Sequence, residues 1–131
     1  MFGLFEKMSE EKARQLSPVT LAFVGDAVYS LYVRSREVST SDRKPAELQK
    51  RTCEVVSAKG QSALLERVES KFTPEEQAVY HRGRNAKKAT KSKNANVIDY
   101  NRSTGFEAVL GYLYLTGRYE RISEIIEGEQ Q

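Results

Sequence analysis

Tryptophan is absent from this 131-residue chain, and cysteine and histidine occur once each, as Cys53 and His81. One cysteine excludes an internal disulfide framework, and one cysteine with one histidine offers no ligand spacing for a zinc-type centre. His81, with no second ligand or orienting acid, reads as a structural or surface residue rather than a general base. No apolar run reaches the roughly 18 residues that a membrane span needs. The opening stretch MFGLFEKMSEEKARQ has no basic segment followed by a signal-like apolar one. These absences lead to the expectation of a soluble protein of the reducing cytoplasm, with no membrane partner.

Proline is scarce too: the three stand at 18, 45 and 74, and each reads as the first position of a helix, where its missing N–H costs nothing. Ser17 and Pro18 open a helix of about 18 residues whose apolar side chains nearly encircle the axis, so a core helix is expected. Pro45 starts a stretch through Leu48, Val55, Val56, Leu64, Leu65 and Val68 that reads as two helices with a break at Gly60. Thr73, Pro74 and Glu76 form a capping-box pattern for a helix over about 74–83. Another helix, over about 104–116, should end at Gly117, and Tyr119, Ile122, Ile125 and Ile126 supply the apolar stripe of a last one. No strand pattern or repeat competes. The expected fold is all-α, one domain over 1–131 with its core at about 14–127.

Charge is nearly balanced, 21 Lys and Arg against 18 Asp and Glu, but it is unevenly spread. Residues 82–102 hold Arg82, Arg84, Lys87, Lys88, Lys91, Lys93 and Arg102 against one acid, Asp99. The stretch 84–102 shows no helical period and reads as a long, flexible, exposed basic loop. Such a cluster suits a polyanion, because phosphate backbones bind it with release of counterions. The plainer reading is a solvated loop.

Two acids stand out against this background. Residues 17–33, SPVTLAFVGDAVYSLYV, carry Asp26 as their one charge, and residues 103–117, STGFEAVLGYLYLTG, carry Glu107 as theirs. An ionised carboxylate in an apolar interior needs a partner, so Asp26 is expected to be buried and either paired with a neighbouring helix or functional. Glu107 has a local reading as well, reaching back to Thr104 in a capping box. Two acids on separate core helices can also converge on one pocket, where their repulsion calls for a hard cation bound by oxygen, magnesium keeping several of its waters. Beside a phosphate-gripping surface, such an ion supplies a deprotonated water, a neutralised non-bridging oxygen and a stabilised leaving alkoxide. That set is what phosphodiester hydrolysis requires. Tyr29, Tyr32, Tyr112 and Tyr114, on the same two helices, read as core residues rather than base-stacking platforms.

LAFVGDAVY resembles the signature helix of the ribonuclease III family, and TGFEAVLGYLYL resembles that family's second acidic helix. The short length, the lack of a following double-stranded-RNA-binding domain, and the stretches VSAKGQ and RGRNAK make the chain similar to the Mini-III ribonucleases in particular. The resemblance covers roughly residues 14–127. It implies an all-helical homodimer that cuts both strands of double-stranded RNA with magnesium, manganese being a plausible substitute, and leaves 5′-phosphate and 3′-hydroxyl ends. It places Asp26 and Glu107 on catalytic, metal-binding positions, and Phe23 on an aromatic position that joins two protomers; the alternative for Phe23 is an ordinary core residue. It further implies a role in maturing the large-subunit (23S) ribosomal RNA precursor, with a ribosomal protein as a partner that presents the substrate. Two departures stand out: Ala22 and Thr104 occupy positions that are usually acidic. With half of the quartet gone, one firmly held magnesium, or a second recruited with the RNA phosphate, is expected rather than a preloaded pair.

Duplex RNA is read through its shape, phosphates and 2′-hydroxyl groups, and Arg82, Arg84, Asn85, Lys87 and Lys88 are the candidate contacts. A non-catalytic RNA-binding or ribosome-assembly module on the same fold is the alternative reading. A helical dimerisation protein whose basic loop meets an acidic protein is the third.

Overall fold

The computed structural model describes residues 6–88 and 96–128. These form seven helices: α1 (Glu10–Arg14), α2 (Pro18–Thr40), α3 (Pro45–Val56), α4 (Ala58–Val68), α5 (Pro74–Asn85), α6 (Val97–Leu115) and α7 (Tyr119–Glu127), with a 3₁₀ turn at Glu69–Lys71. No strand occurs among the described residues, and the all-α expectation is met.

The helix starts follow the local chemistry. The Ser17 hydroxyl accepts from the Thr20 amide ahead of Pro18, and Thr73 with Glu76 forms the full reciprocal capping box ahead of Pro74. Both arrangements satisfy amides that a helix start leaves without partners. Gly117 takes the left-handed φ of +78° that ends α6.

Helix α6 is the centre of the molecule, with Phe106, Val109, Leu110, Tyr112 and Leu113 fully buried. Helix α2 lies across it at very close range. A Cβ added at Gly25 would overlap the carbonyl of Glu107 and come within 2.9 Å of the Gly111 amide nitrogen. One added at Gly111 would overlap the carbonyl of Leu21. The two backbones meet because neither glycine carries a side chain.

The buried acids elsewhere among the described residues, Glu37 and Glu76, are paired with arginine. Glu76, buried, forms a bidentate pair with Arg121 at 2.8 Å for both oxygens. Glu75 accepts from Arg118, Tyr112 and Arg14, and these hydrogen bonds, Arg118's foremost, hold its carboxyl down at about 2. Against this background a carboxylate without a cationic partner is conspicuous.

The structure departs from expectation at three elements. Helix α2 runs for 23 residues and is not enclosed: Val19, Phe23, Leu31 and Val38 line an exposed face, because nothing among the described residues covers that side. The break between α3 and α4 falls at Ser57, which ends one helix and caps the next by accepting from the Gly60 amide. Gly60 itself sits inside α4, against the carbonyls of Glu54 and Val55, where no side chain fits. Helix α6 starts at Val97, capped by Asn96, so Asp99 and Arg102 are helical rather than in a loop.

Candidate active site

The meeting of α2 and α6 at Gly25 sets the positions of the two acids. Asp26 follows Gly25 directly, and Glu107 is the residue whose carbonyl Gly25 touches. Both side chains line one open cleft of about 880 Å³, together with Gln61 and Lys59 from α4, Lys88 beyond α5, and Asp99 from the first turn of α6. The structure thus brings together the two acids singled out by sequence.

Their environments differ from expectation. Asp26 is exposed on the cleft wall rather than buried. Glu107 is half-buried, and it is no capping residue: Thr104 lies mid-helix, its hydroxyl donating to the Tyr100 carbonyl at 3.0 Å. Burial foremost, and then the Asp26 carboxylate within hydrogen-bonding reach, push the Glu107 carboxyl up to about 8. A hydrogen bond from Gln61 Nε2 to Glu107 Oε2, at 2.9 Å, pulls the other way. Arginines hold Glu75 and Glu76 low, whereas among the described residues Glu107 has a neutral amide in their place.

Two adjoining carboxylates with a shared deficit of positive charge fit a hard divalent cation with oxygen ligands. No group of three or more His, Cys, Asp or Glu side chains able to hold a metal occurs among the described residues, and the Thr104 hydroxyl is committed to the backbone. The donor set is therefore Asp26 and Glu107, which suits an ion that keeps most of its waters.

A pH dependence follows. The free Glu107 carboxyl ionises near 4.5, while in the fold it keeps its proton up to about 8. Folding therefore favours the protonated form, and the stability of the metal-free protein falls as pH rises from about 4.5 to about 8, then levels off. Glu107→Gln removes this slope and raises the metal-free Tm at pH 8 by roughly 5–10 °C, for a relief on the order of 2–3 kcal/mol. Thermal melts across that pH range in chelator check it; an unchanged slope in the variant would contradict the assignment.

Of the candidate RNA contacts, Lys88 lines the cleft, its ammonium also donating to the Gly83 and Arg84 carbonyls at 2.9 and 3.0 Å. Arg82, Arg84 and Asn85 lie in the last turn of α5 and Lys87 just after it. Arg82 reaches the Leu16 carbonyl, and Arg84 lies over the Tyr80 ring. Lys91 and Lys93 fall outside the described residues. His81 pairs with Gln77 away from the cleft. Phe23 is 79% exposed, which overturns its alternative as a core residue. Sequence reasoning missed Gln61 and Lys59; both lie in the quoted stretch VSAKGQ, but nothing in it singles them out.

The all-helical fold is that of a ribonuclease III domain, whose family model matches residues 19–118. A crystal structure of a Fusobacterium nucleatum protein superposes with a TM-score of 0.79 at 30% identity, covering 87% of this chain and 91% of that one. A protein named Mini-ribonuclease 3 from a Thermoanaerobacter species is 43% identical over 97% of this chain and 92% of its own length. The protein of the same name from Brevibacillus brevis is 46% identical over 85% of this chain and 83% of its own length. The chain belongs to the Mini-ribonuclease 3 group of the ribonuclease III family, a family of endoribonucleases. Among the described residues no helix is long and apolar enough to cross a membrane.

Proposed function

We propose that the chain is a magnesium-dependent enzyme that cuts both strands of double-stranded RNA, with Asp26 and Glu107 as its catalytic, metal-holding residues. The observation that carries this reading is the convergence of these two carboxylates in one cleft, with Glu107 held by no cation among the described residues. When bound there, magnesium, or manganese in its place, supplies water activation and neutralises charge on the phosphate and leaving oxygen. Asp26, exposed to the cleft, would offer its oxygens to the ion, and Glu107, set deeper and holding its proton in the metal-free fold, would give that proton up as the ion binds. Hydrolysis on this plan leaves 5′-phosphate and 3′-hydroxyl ends.

Lys88 sits on the same cleft and Arg82, Arg84, Asn85 and Lys87 flank it in sequence, forming the surface that holds duplex phosphates. The physiological substrate in this reading is large-subunit (23S) precursor ribosomal RNA, with a ribosomal protein as a further partner. Incubating the purified protein with a generic RNA duplex, with and without magnesium, tests the activity. Cleavage only with the metal is expected; none with magnesium or manganese would favour the non-catalytic RNA-binding alternative.

A homodimer accounts for paired cuts, since two-fold symmetry presents two centres to one duplex. Its proposed contact is the exposed face of α2, where Val19, Phe23, Leu31 and Val38 recur at helical spacing. Losing Phe23 from both sides, at about 2 kcal/mol each, should weaken the dimer roughly a thousandfold. Sedimentation of Phe23→Ala at micromolar concentration should show monomer where the parent protein is dimeric; an unchanged dimer would place the interface elsewhere.

A further inference from the structure

Gln61 is 1% exposed, an unusual setting for an amide, and its side chain makes two contacts through one atom. Nε2 donates to the Val56 carbonyl at 2.9 Å and to Glu107 Oε2 at 2.9 Å. Val56 is the last residue of α3, so the first bond satisfies a carbonyl that the helix end leaves over. The second bridges α4 to α6 at the site. Turning the amide over would set Oε1 against a carbonyl and a carboxylate, so its orientation is fixed.

That orientation leaves Oε1 buried, with no hydrogen-bond partner among the described residues. An apolar side chain of similar shape would avoid the penalty of an unsatisfied buried acceptor. The amide is kept in spite of it, and both of its N–H groups are spent, one on anchoring the side chain and one on Glu107.

We propose that Gln61 is a positioning residue: its amide, locked by the end of α3, fixes the Glu107 carboxylate in the orientation in which it meets Asp26 across the cleft. This rests on the reading of Asp26 and Glu107 as a metal-holding pair. A neutral donor suits the task, because an arginine there would neutralise Glu107 and compete with the cation, as Arg121 does for Glu76. The bond also couples the α3–α4 corner, and with it the cleft residue Lys59, to the acidic pair.

The test uses Mn²⁺ as the probe, titrated into the metal-free full-length protein and followed by electron paramagnetic resonance, beside circular dichroism and duplex RNA affinity measured without metal. Gln61→Met, similar in length and volume, is expected to keep the helical spectrum and RNA affinity while weakening Mn²⁺ binding about 10-fold or more and lowering kcat by a like factor. Gln61→Leu, uncharged and likewise without the amide N–H, should do the same and serves if the Met variant fails to fold. A residue that merely caps α3 would leave Mn²⁺ affinity unchanged, and native affinity with native kcat in a folded variant would overturn the proposal. Glu107→Gln separates the two layers: if it loses Mn²⁺ while Gln61→Met retains it, only the positioning role fails. If Glu107→Gln itself binds Mn²⁺ normally, the reading of the site fails.

Discussion

Asp26→Asn or Glu107→Gln should each reduce cleavage of double-stranded RNA by at least about a thousandfold, a loss of roughly 4 kcal/mol of transition-state stabilisation. With two protein carboxylates in the donor set, removal of either leaves a single one. The loss belongs in kcat, since neither residue is needed to hold the duplex. Affinity for uncleaved RNA should stay within about threefold of the parent protein, and Asp26→Asn, which deletes a negative charge facing phosphate, should if anything tighten it. Both variants should also fold. Asp26 is exposed, and the amide that Glu107→Gln introduces can donate to Asp26 while its oxygen still accepts from Gln61. Rates at saturating RNA, with affinity measured separately in chelator, make the check. Substantial turnover by either variant would show that the chemistry lies elsewhere on the molecule.

Asp26→Asn is also expected to lower the folded Glu107 value, since the neighbouring charge is one cause of its elevation. The pH slope of stability should therefore flatten in this variant without vanishing, because burial, the larger cause, remains. The two acids thereby report on each other in a measurement that needs neither RNA nor metal.

Much of this arrangement was legible in the residues, and the reason is local. Ser17 with Pro18 and Thr73 with Glu76 carry their helix starts in a few adjacent side chains, so pattern and structure agree. The start of α6 was not legible for the same kind of reason. The sequence TGFE satisfies the capping-box pattern, but the helix runs through it from Asn96, and the Thr104 hydroxyl turns to the carbonyl four residues back. A local motif cannot reveal whether the preceding turn is already helical.

The pairing of Asp26 with Glu107 could be posed from sequence as two unexplained charges, whereas its depth could not. Asp26 sits in an apolar run, but that run has an outer face, and the carboxylate lies on the cleft wall beside it. Gln61 lay beyond reach altogether. A buried amide is informative only through its partners, and these are 5 and 46 residues away in the chain.

Gly25→Ala and Gly111→Ala should be the most damaging single-methyl changes in the protein, each costing more than about 4 kcal/mol and leaving little native state at 37 °C. The reason is that the obstacles are backbone atoms. A methyl at position 25 would enter the Glu107 carbonyl, and one at 111 the Leu21 carbonyl, so no rotamer change relieves the clash. Alanine's better intrinsic helix propensity, about 1 kcal/mol over glycine, is far too small to compensate. Helix α2 would have to withdraw from α6, opening the core around Leu21, Tyr29 and Phe106 and separating Asp26 from Glu107. Ala22→Gly, on the same helix, serves as the control: it adds no atom at the contact and should cost only about 1 kcal/mol of propensity plus a buried methyl. Urea unfolding of the three variants checks the order. A Gly25→Ala protein as stable as its parent would mean that the two helices are not in backbone contact, and the acids would then lose the close approach that sets their positions.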